Sequence, residues 1–421
     1  MTQQQTESKS ILDKRLIVIL LIVLVQMIGA AMVFPILPLY AKREFGMQPQ
    51  TITLLITAFF AAQFIAGPFI GRLSDKYGRV PILIMSQIGT VIAFLILGLS
   101  GQVWMLFFAR ILDGITGGNI IVAQAYVTDI IPRERRTEAL GYVFAAFGVG
   151  FIVGPAVGGL LSTYFTYQTP YFVAAAAATI VVILTWFMLE ETVTPEVRAE
   201  NKQKRGQSMN VGAIVKNLPL ISILLMAFGS QFAFSMLQST FSLFGEAVLF
   251  ADNPERAELG VGLLLATVGV GQIFTQLYLV KKLAKRFGDS PLVIIGGVIR
   301  SISMFVLVIL AVPASAAVTL FLFAMGTGMQ MPALQSLVTN TVPDNQRGGV
   351  LGLYQSSLSL SIIFGSAISG AIFEIAPIVP YIVGGSIFAL MLIPAFFLVQ
   401  WVRQQEESQK INLPQSAPVG H

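Results

Sequence analysis

Two residues able to do chemistry stand three apart inside an apolar run that begins near Val103: Arg110 and Asp113. That spacing puts both side chains on one helix face. A guanidinium within a bilayer costs at least ~2.5 to 3.5 kcal/mol, so Arg110 must face a cavity or a partner. A carboxylate beside it releases a proton as the arginine approaches and takes one up when desolvated. Two readings are open, a proton carrier or a permanent ion pair that never titrates. Of the 21 Asp and Glu, Asp113 is the one placed near mid-membrane. Gly114, Gly117 and Gly118 extend the same stripe, leaving room for a neighbouring helix.

A second charged cluster, Gly71 to Arg79 (G-R-L-S-D-K-Y-G-R), is pinned between two apolar runs. Gly71 and Gly78 allow a tight turn and close helix approach. Asp75 is placed to meet the positive end of a neighbouring helix or a basic side chain. The plainer reading is a solvated basic loop. Other chemistries are excluded by composition: there is no cysteine, and the single histidine, His421, is the last residue. Disulfides, thiolate catalysis and Cys- or His-ligated metals are ruled out, no acid-base or nucleophile set points to an enzyme, and neither metal nor cofactor is expected.

The elements that must position these residues follow from composition. The chain is 55% hydrophobic and 11% charged, against roughly 25% charged in soluble domains. Each bilayer crossing needs ~20 mostly apolar residues in helical form, because unpaired backbone groups are too costly in hydrocarbon. Twelve such runs begin near Leu16, Thr51, Pro81, Val103, Glu138, Thr169, Pro219, Leu259, Pro291, Ala314, Gly348 and Pro377. The expected fold is therefore an all-α integral membrane protein of twelve transmembrane helices. Of the 26 Lys and Arg, only Lys42, Arg43 and Arg256 fall on one side, while Arg110 and Arg300 fall within spans. The remainder lie on the other side, which the positive-inside rule makes cytoplasmic. Both termini are expected there, in a plasma (inner) membrane, and the net charge of +5 is topological rather than a nucleic-acid footprint.

The hydrophilic stretch after Glu190 mixes acid, base and Gln and reads as a linker. The segment at Ile131 to Gly141 (I-P-R-E-R-R-T-E-A-L-G) aligns with Val342 to Gly352 (V-P-D-N-Q-R-G-G-V-L-G), and in the same register Gly154 meets Gly365 and Gly159 meets Gly370. The repeat is parallel, six helices against six. The expected divisions are an N-terminal six-helix half over 1–190, a linker over 191–217, a C-terminal half over 218–402 and a tail over 403–421. Uncharged polar residues dot the runs, among them Gln26, Asn119, Gln124, Gln238 and Gln330, with Met32 and Phe234 near them. Such groups either glue helices or line a wet cavity. A cavity of amides, Met and Phe suits lipophilic or weakly cationic compounds.

Four stretches in order, at the expected helix ends, carry a resemblance. They are P-I-L-P at Pro35 to Pro38, the Gly71 to Arg79 loop, R-I-L-D-G at Arg110 to Gly114, and G-x-x-x-G-P-x-x-G-G at Gly150 to Gly159. Together they resemble the major facilitator superfamily, in the branch of drug:proton antiporters that includes the tetracycline/proton antiporters. The resemblance implies two pseudo-symmetric halves that rock about a midplane cavity. It implies a cytoplasmic latch of Gly71, Asp75, Gly78, Arg79 and Asp129 in the outward-open state, and proton coupling at Arg110 with Asp113 as its partner. It also implies an antiporter-type helix 5 built on Gly150, Gly154, Pro155, Gly158 and Gly159, hence export. The substrate would be a small hydrophobic or amphiphilic molecule driven by the proton motive force, carried by a monomer. A metabolite or lipid transporter, an importer, or a non-transporting scaffold or sensor are the alternatives.

The chain departs from the tetracycline pattern in two places. Gln26 stands where those proteins carry an acid in helix 1, and Arg300 where they carry one in helix 9. Arg300 could attract anionic substrates, or pair with Asp113 or a backbone carbonyl. Glu246 and Glu374, near outer helix ends, are expected as solvated vestibule acids.

Overall fold

The computed structural model describes residues 14–117, 119–131, 135–193, 217–342 and 346–411, which are helical with short turns and contain no strand. The apolar runs become α1 (Lys14–Phe45), α2 (Pro49–Tyr77), α3 (Arg79–Gly98), α4 (Val103–Thr116), α5 (Asn119–Ile130), α6 (Arg136–Tyr164) and α7 (Thr169–Met188). After the linker come α8 (Leu218–Phe244), α9 (Ala257–Phe274), α10 (Val280–Phe287), α11 (Asp289–Ile309), α12 (Pro313–Asn340), α13 (Arg347–Ile375), α14 (Val379–Leu390) and α15 (Leu392–Ile411). Of the linker expected over 191–217, residues 194–216 lie outside the described ones.

Eleven helical spans among the described residues are long and apolar enough to cross a membrane. The twelfth run, from Val103, is divided into α4 and α5 at Gly117, whose N–H bonds back to Gly114 O at 3.2 Å. Glycine is a poor helix former, and here it interrupts a run that also carries buried charge. The span containing α9 and α10 stays continuous through a wide π-turn at Thr275–Leu279. The last helix runs to Ile411, past the boundary expected at 402.

Sharp reversals fall where the sequence allows them. Gly78 joins α2 to α3 at φ 116°, a left-handed value, and its N–H closes on Ser74 O at 3.1 Å. Gly46, at φ 62°, turns α1 into α2 at the opposite end of the bundle. These two glycines label the two faces used below.

Side-chain packing sets the shape. Near the Gly46 face one apolar core runs through both halves, joining Tyr40, Leu55, Phe94 and Tyr171 to Phe241, Phe244, Phe323 and Tyr381. Toward the Gly78 face the cores are separate. One, with Ile22, Leu83 and Val127, belongs to the first half, and the other, with Ile223, Val293 and Leu334, to the second. A Cβ added at Gly71, Gly141 or Gly352, all toward that face, would meet nothing within 4 Å. The halves share a core at one face and part toward the other. Large apolar side chains such as Ile65, Phe69, Trp104, Trp186 and Phe187 are exposed on the outer surface, where acyl chains rather than water would cover them.

Candidate functional site

Arg110 and Asp113 meet as their spacing requires, with Arg110 Nη1 donating to Asp113 Oδ2 at 2.9 Å. Both are buried, at 5% and 7% exposure. The Arg110 guanidinium lies 4.2 Å from the centre of the Phe59 ring on α2, a cation–π contact that gains strength away from water. Gly114 makes this approach possible: a Cβ there would sit 2.8 Å from Ala62 Cβ and 3.1 Å from the Phe59 carbonyl carbon. Gln63 Nε2, also on α2, donates to Gly117 O at 3.2 Å and satisfies a carbonyl freed by the helix break. Arg110 also lines a small cavity with Ala30, Val33, Phe34, Leu37, Pro38 and Ile56. Among the described residues, Arg110 Nε and the Tyr171 hydroxyl, both buried, find no hydrogen-bond partner.

The Gly78 corner assembles the residues expected there. Arg79 donates through Nε to Asp129 Oδ2 at 3.0 Å, pairs through Nη1 with Asp75 Oδ1 at 2.8 Å, and reaches Ser74 Oγ at 2.7 Å. All of these residues belong to the first half. Glu191, taken as part of the linker, completes the cluster by accepting from the backbone N–H groups of Arg79 and Val80 at 2.8 and 3.1 Å. The first turn of α3 has no acid of its own, and Glu191 supplies the negative charge that a helix N-terminus favours. Thr192 Oγ1 joins by donating to Asp129 at 3.1 Å.

The Gly46 face holds a cluster that spans the halves. Lys42 and Arg43, at the end of α1, bind Glu246 at 2.6 and 2.8 Å, and Arg43 also binds Glu258 at 2.5 Å and Pro254 O at 2.8 Å. Tyr167, between α6 and α7, donates to Glu258 and receives a bond from Arg43. Burial and the neighbouring Glu258 push the Tyr167 hydroxyl up to about 12, so it is a protonated donor at neutral pH. Glu246 is not the solvated acid expected from sequence. Its side chain is 11% exposed, and it stands in a π-turn, Gly245–Leu249, a widened turn of a kind that recurs at functional sites. Glu374 is exposed and accepts from Gln50 N at 3.1 Å at the start of α2. Thr57 meets Ser366 at 2.9 Å, and Ser242 Oγ donates to Phe34 O at 3.3 Å.

Sequence reasoning missed Glu191, Glu258 and Tyr167 and gave Lys42 and Arg43 no role. The available signal was the charge bias itself, since Lys42 and Arg43 are two of only three cations on a face otherwise free of them.

The helix-5 stretch lies at a three-helix crossing. Gly150, Gly154 and Gly158 take α1: a Cβ on Gly154 would lie 2.7 Å from Ile28 O, and one on Gly158 would lie 3.2 Å from Met32 Cα. Gly159 meets α9 of the other half, where a Cβ would sit 2.8 Å from Glu258 O, and the Pro155 carbonyl abuts Gly262.

The remaining candidates are spread over both halves. Met32 is buried under Gly158, and Gln26 and Gln124 are half-buried in the first half. The Asn119 side chain lies outside the described residues. Phe234 and Gln238 are half-buried on α8, and Phe234 stacks on Phe323 at 5.8 Å. Arg300 is fully enclosed. It does not pair with Asp113; it donates to Gln330 Oε1 at 2.6 Å and to Ser230 O at 3.2 Å, amid the rings of Phe388, Phe323 and Phe234 at 4.0, 5.0 and 6.0 Å.

Comparison with known proteins agrees with this architecture. The chain is 31% identical to tetracycline resistance protein, class H, of Pasteurella multocida, over 92% of this chain and 96% of that one. It is 28% identical to multidrug resistance protein 2 of Bacillus subtilis, over 96% and 100%. The solved structure of the nucleoside transporter NupG superposes with a TM-score of 0.71 at 14% identity, covering 91% of this chain and 98% of that one. The profile of the Major Facilitator Superfamily matches residues 19–253 and 242–419. A multi-pass helical molecule of two halves, with matches of that extent, is a transporter that belongs to the Major Facilitator Superfamily.

Proposed function

We propose that the protein is a proton-coupled exporter of small hydrophobic or amphiphilic compounds that works by alternating access. The observation that carries this reading is the buried pair of Arg110 and Asp113 beside a cavity, in a molecule sealed by inter-half ion pairs at one face and with separate half-cores toward the other. The positive-inside rule puts the Gly78 face in the cytoplasm, which makes this the inward-facing state. Apolar side chains around the amides suit lipophilic substrates. The names of the similar proteins, a tetracycline and a multidrug resistance protein, support export of such compounds.

In this reading Asp113 takes up a proton when the molecule faces outward, and protonation weakens its bond to Arg110. The return to the inward-facing state lets the proton leave, and substrate entering the cavity favours the ionised pair again. As the halves rock, the inter-half pairs at the Gly46 face open and the Asp75, Arg79 and Asp129 cluster, held within the first half, meets the second half to close the cytoplasmic face.

The test uses everted membrane vesicles, with tetracycline and ethidium as probes. Wild-type vesicles accumulate at least one probe when acidified inside. Asp113→Asn vesicles with the same amount of inserted protein lose that accumulation and keep probe exchange at equal pH. Undiminished acid-driven accumulation by Asp113→Asn excludes Asp113 as the carrier, and the absence of transport of either probe by wild type excludes the proposed substrate class.

A further inference from the structure

Asp113 is not the only polar group sunk into the first half. On α3, Ser86, Gln87 and Thr90 are 0%, 2% and 4% exposed; among the described residues the Ser86 hydroxyl and both polar atoms of the Gln87 amide have no hydrogen-bond partner, while the Thr90 hydroxyl turns to the Asp113 carboxyl. Buried polar groups are almost always satisfied by protein or by ordered water. In an apolar bundle, three such atoms on adjacent residues need something to bond. Gln87 and Thr90 line a small cavity between α1, α3 and α7, together with Gln26, Phe94 and Ala178. It has room for water beside two to four polar partners, the condition for a buried water site.

Thr90 stands beside the Asp113 carboxyl. Gln87 lies about one turn nearer the Gly78 end of α3. Gln26, across from it on α1, is half-buried. The cavity lining itself carries no ionisable group; the titratable groups next to it are Asp113 and Arg110 of α4 and Tyr171 of α7. Asp113, Thr90, Gln87 and Gln26 form a run of polar groups off the apolar cavity that Arg110 lines, above the buried Ile22, Val23 and Leu83 of the first-half core.

We propose that this cavity is a water site that takes up and hands on the proton of Asp113 through Thr90 and Gln87, separately from the substrate route. Amides and hydroxyls are suited to that work because each both donates and accepts, and so can hold a water without trapping the proton. The inference rests on the reading of Asp113 as proton carrier.

Two measurements decide it. In proteoliposomes carrying an exported probe, the double variant Gln87→Met with Thr90→Val retains probe exchange at equal pH, loses pH-driven accumulation and loses the proton release that follows probe addition. Thr90→Ser retains all three. pH-driven accumulation at the wild-type level in the double variant overturns the relay. If Asp113→Asn is deficient while the double variant is normal, the relay alone is wrong; if Asp113→Asn is also normal, the carrier reading falls and the relay with it. For a double variant that does not insert, radiolytic hydroxyl labelling of the wild type decides. Phe94, buried but lining the cavity, is labelled by adjacent water, whereas the equally buried Phe388 is not. Equal absence of label at both overturns the proposal.

Discussion

Arg300 shows at the scale of one residue how a departure from the resembled pattern becomes part of the core. Among the described residues its guanidinium has no carboxylate partner; it is held by Gln330, by the Ser230 carbonyl and by three aromatic rings. Only a planar, forked cation can stack and donate in two directions at once. Arg300→Lys keeps the charge and loses the fork, leaving a buried acceptor unpaired. A loss of about 1–3 kcal/mol is expected, read as a lower unfolding temperature in detergent. Unchanged thermal stability would mean that the cage does not need the fork. That Arg300 is buried at all could not be read from the sequence, because only the rings and amide of three other helices make the site tolerable.

Among the elements, α11 and α12 cross closely in the second half. A Cβ on Gly326 would lie 2.7 Å from Gly296 O and 2.8 Å from Arg300 Cγ. Gly326→Val is therefore expected to destabilise by about 1–3 kcal/mol through overpacking. Because the clash pushes on Arg300, its effect should not add to that of Arg300→Lys, a non-additivity that a double-mutant cycle measures. Additive effects would show that the two positions move independently. The elements themselves were legible: helix starts fell close to those expected, since a run of apolar residues in lipid has one structural solution. What periodicity did not show was the division of the Val103 run into α4 and α5 or the π-turn that carries Glu246. Both depend on which neighbouring helix can satisfy the loosened backbone.

For the whole molecule, the closed Gly46 face is the decisive feature. The chain has no cysteine, so label pairs can be introduced cleanly at Gln48 and Ile375, which are exposed on either side of this face. Glu246→Gln weakens the bonds from both Lys42 and Arg43. Hydrogen bonds to charged groups contribute ~1.5–3 kcal/mol, so the open population should rise roughly tenfold or more, seen as a longer label distance. No change in distance would remove these ion pairs as the seal. Tyr167 adds a pH dependence of known sign. Its pKa is raised to about 12, above the ordinary value of about 10, so its contribution to closure is complete below about 10 and lost as pH rises through about 12. The label distance should show no Tyr167-linked change between about pH 6 and 9 and should lengthen in strong alkali. Tyr167→Phe should abolish the alkaline change.

The sequence by itself determined that this chain crosses the membrane repeatedly, that its halves repeat, and that Arg110 faces Asp113. Each of these follows from local rules: the length of an apolar run, the match between two segments, or a spacing of three on a helix. Only the tertiary structure decided that Lys42 and Arg43 close one face against Glu246 and Glu258, that Glu191 caps α3, and that Gln87 and Thr90 share a cavity beside Asp113. Those contacts join residues far apart in the chain, on helices whose rotation is set by packing. Helical periodicity fixes which residues share a face but not what that face meets.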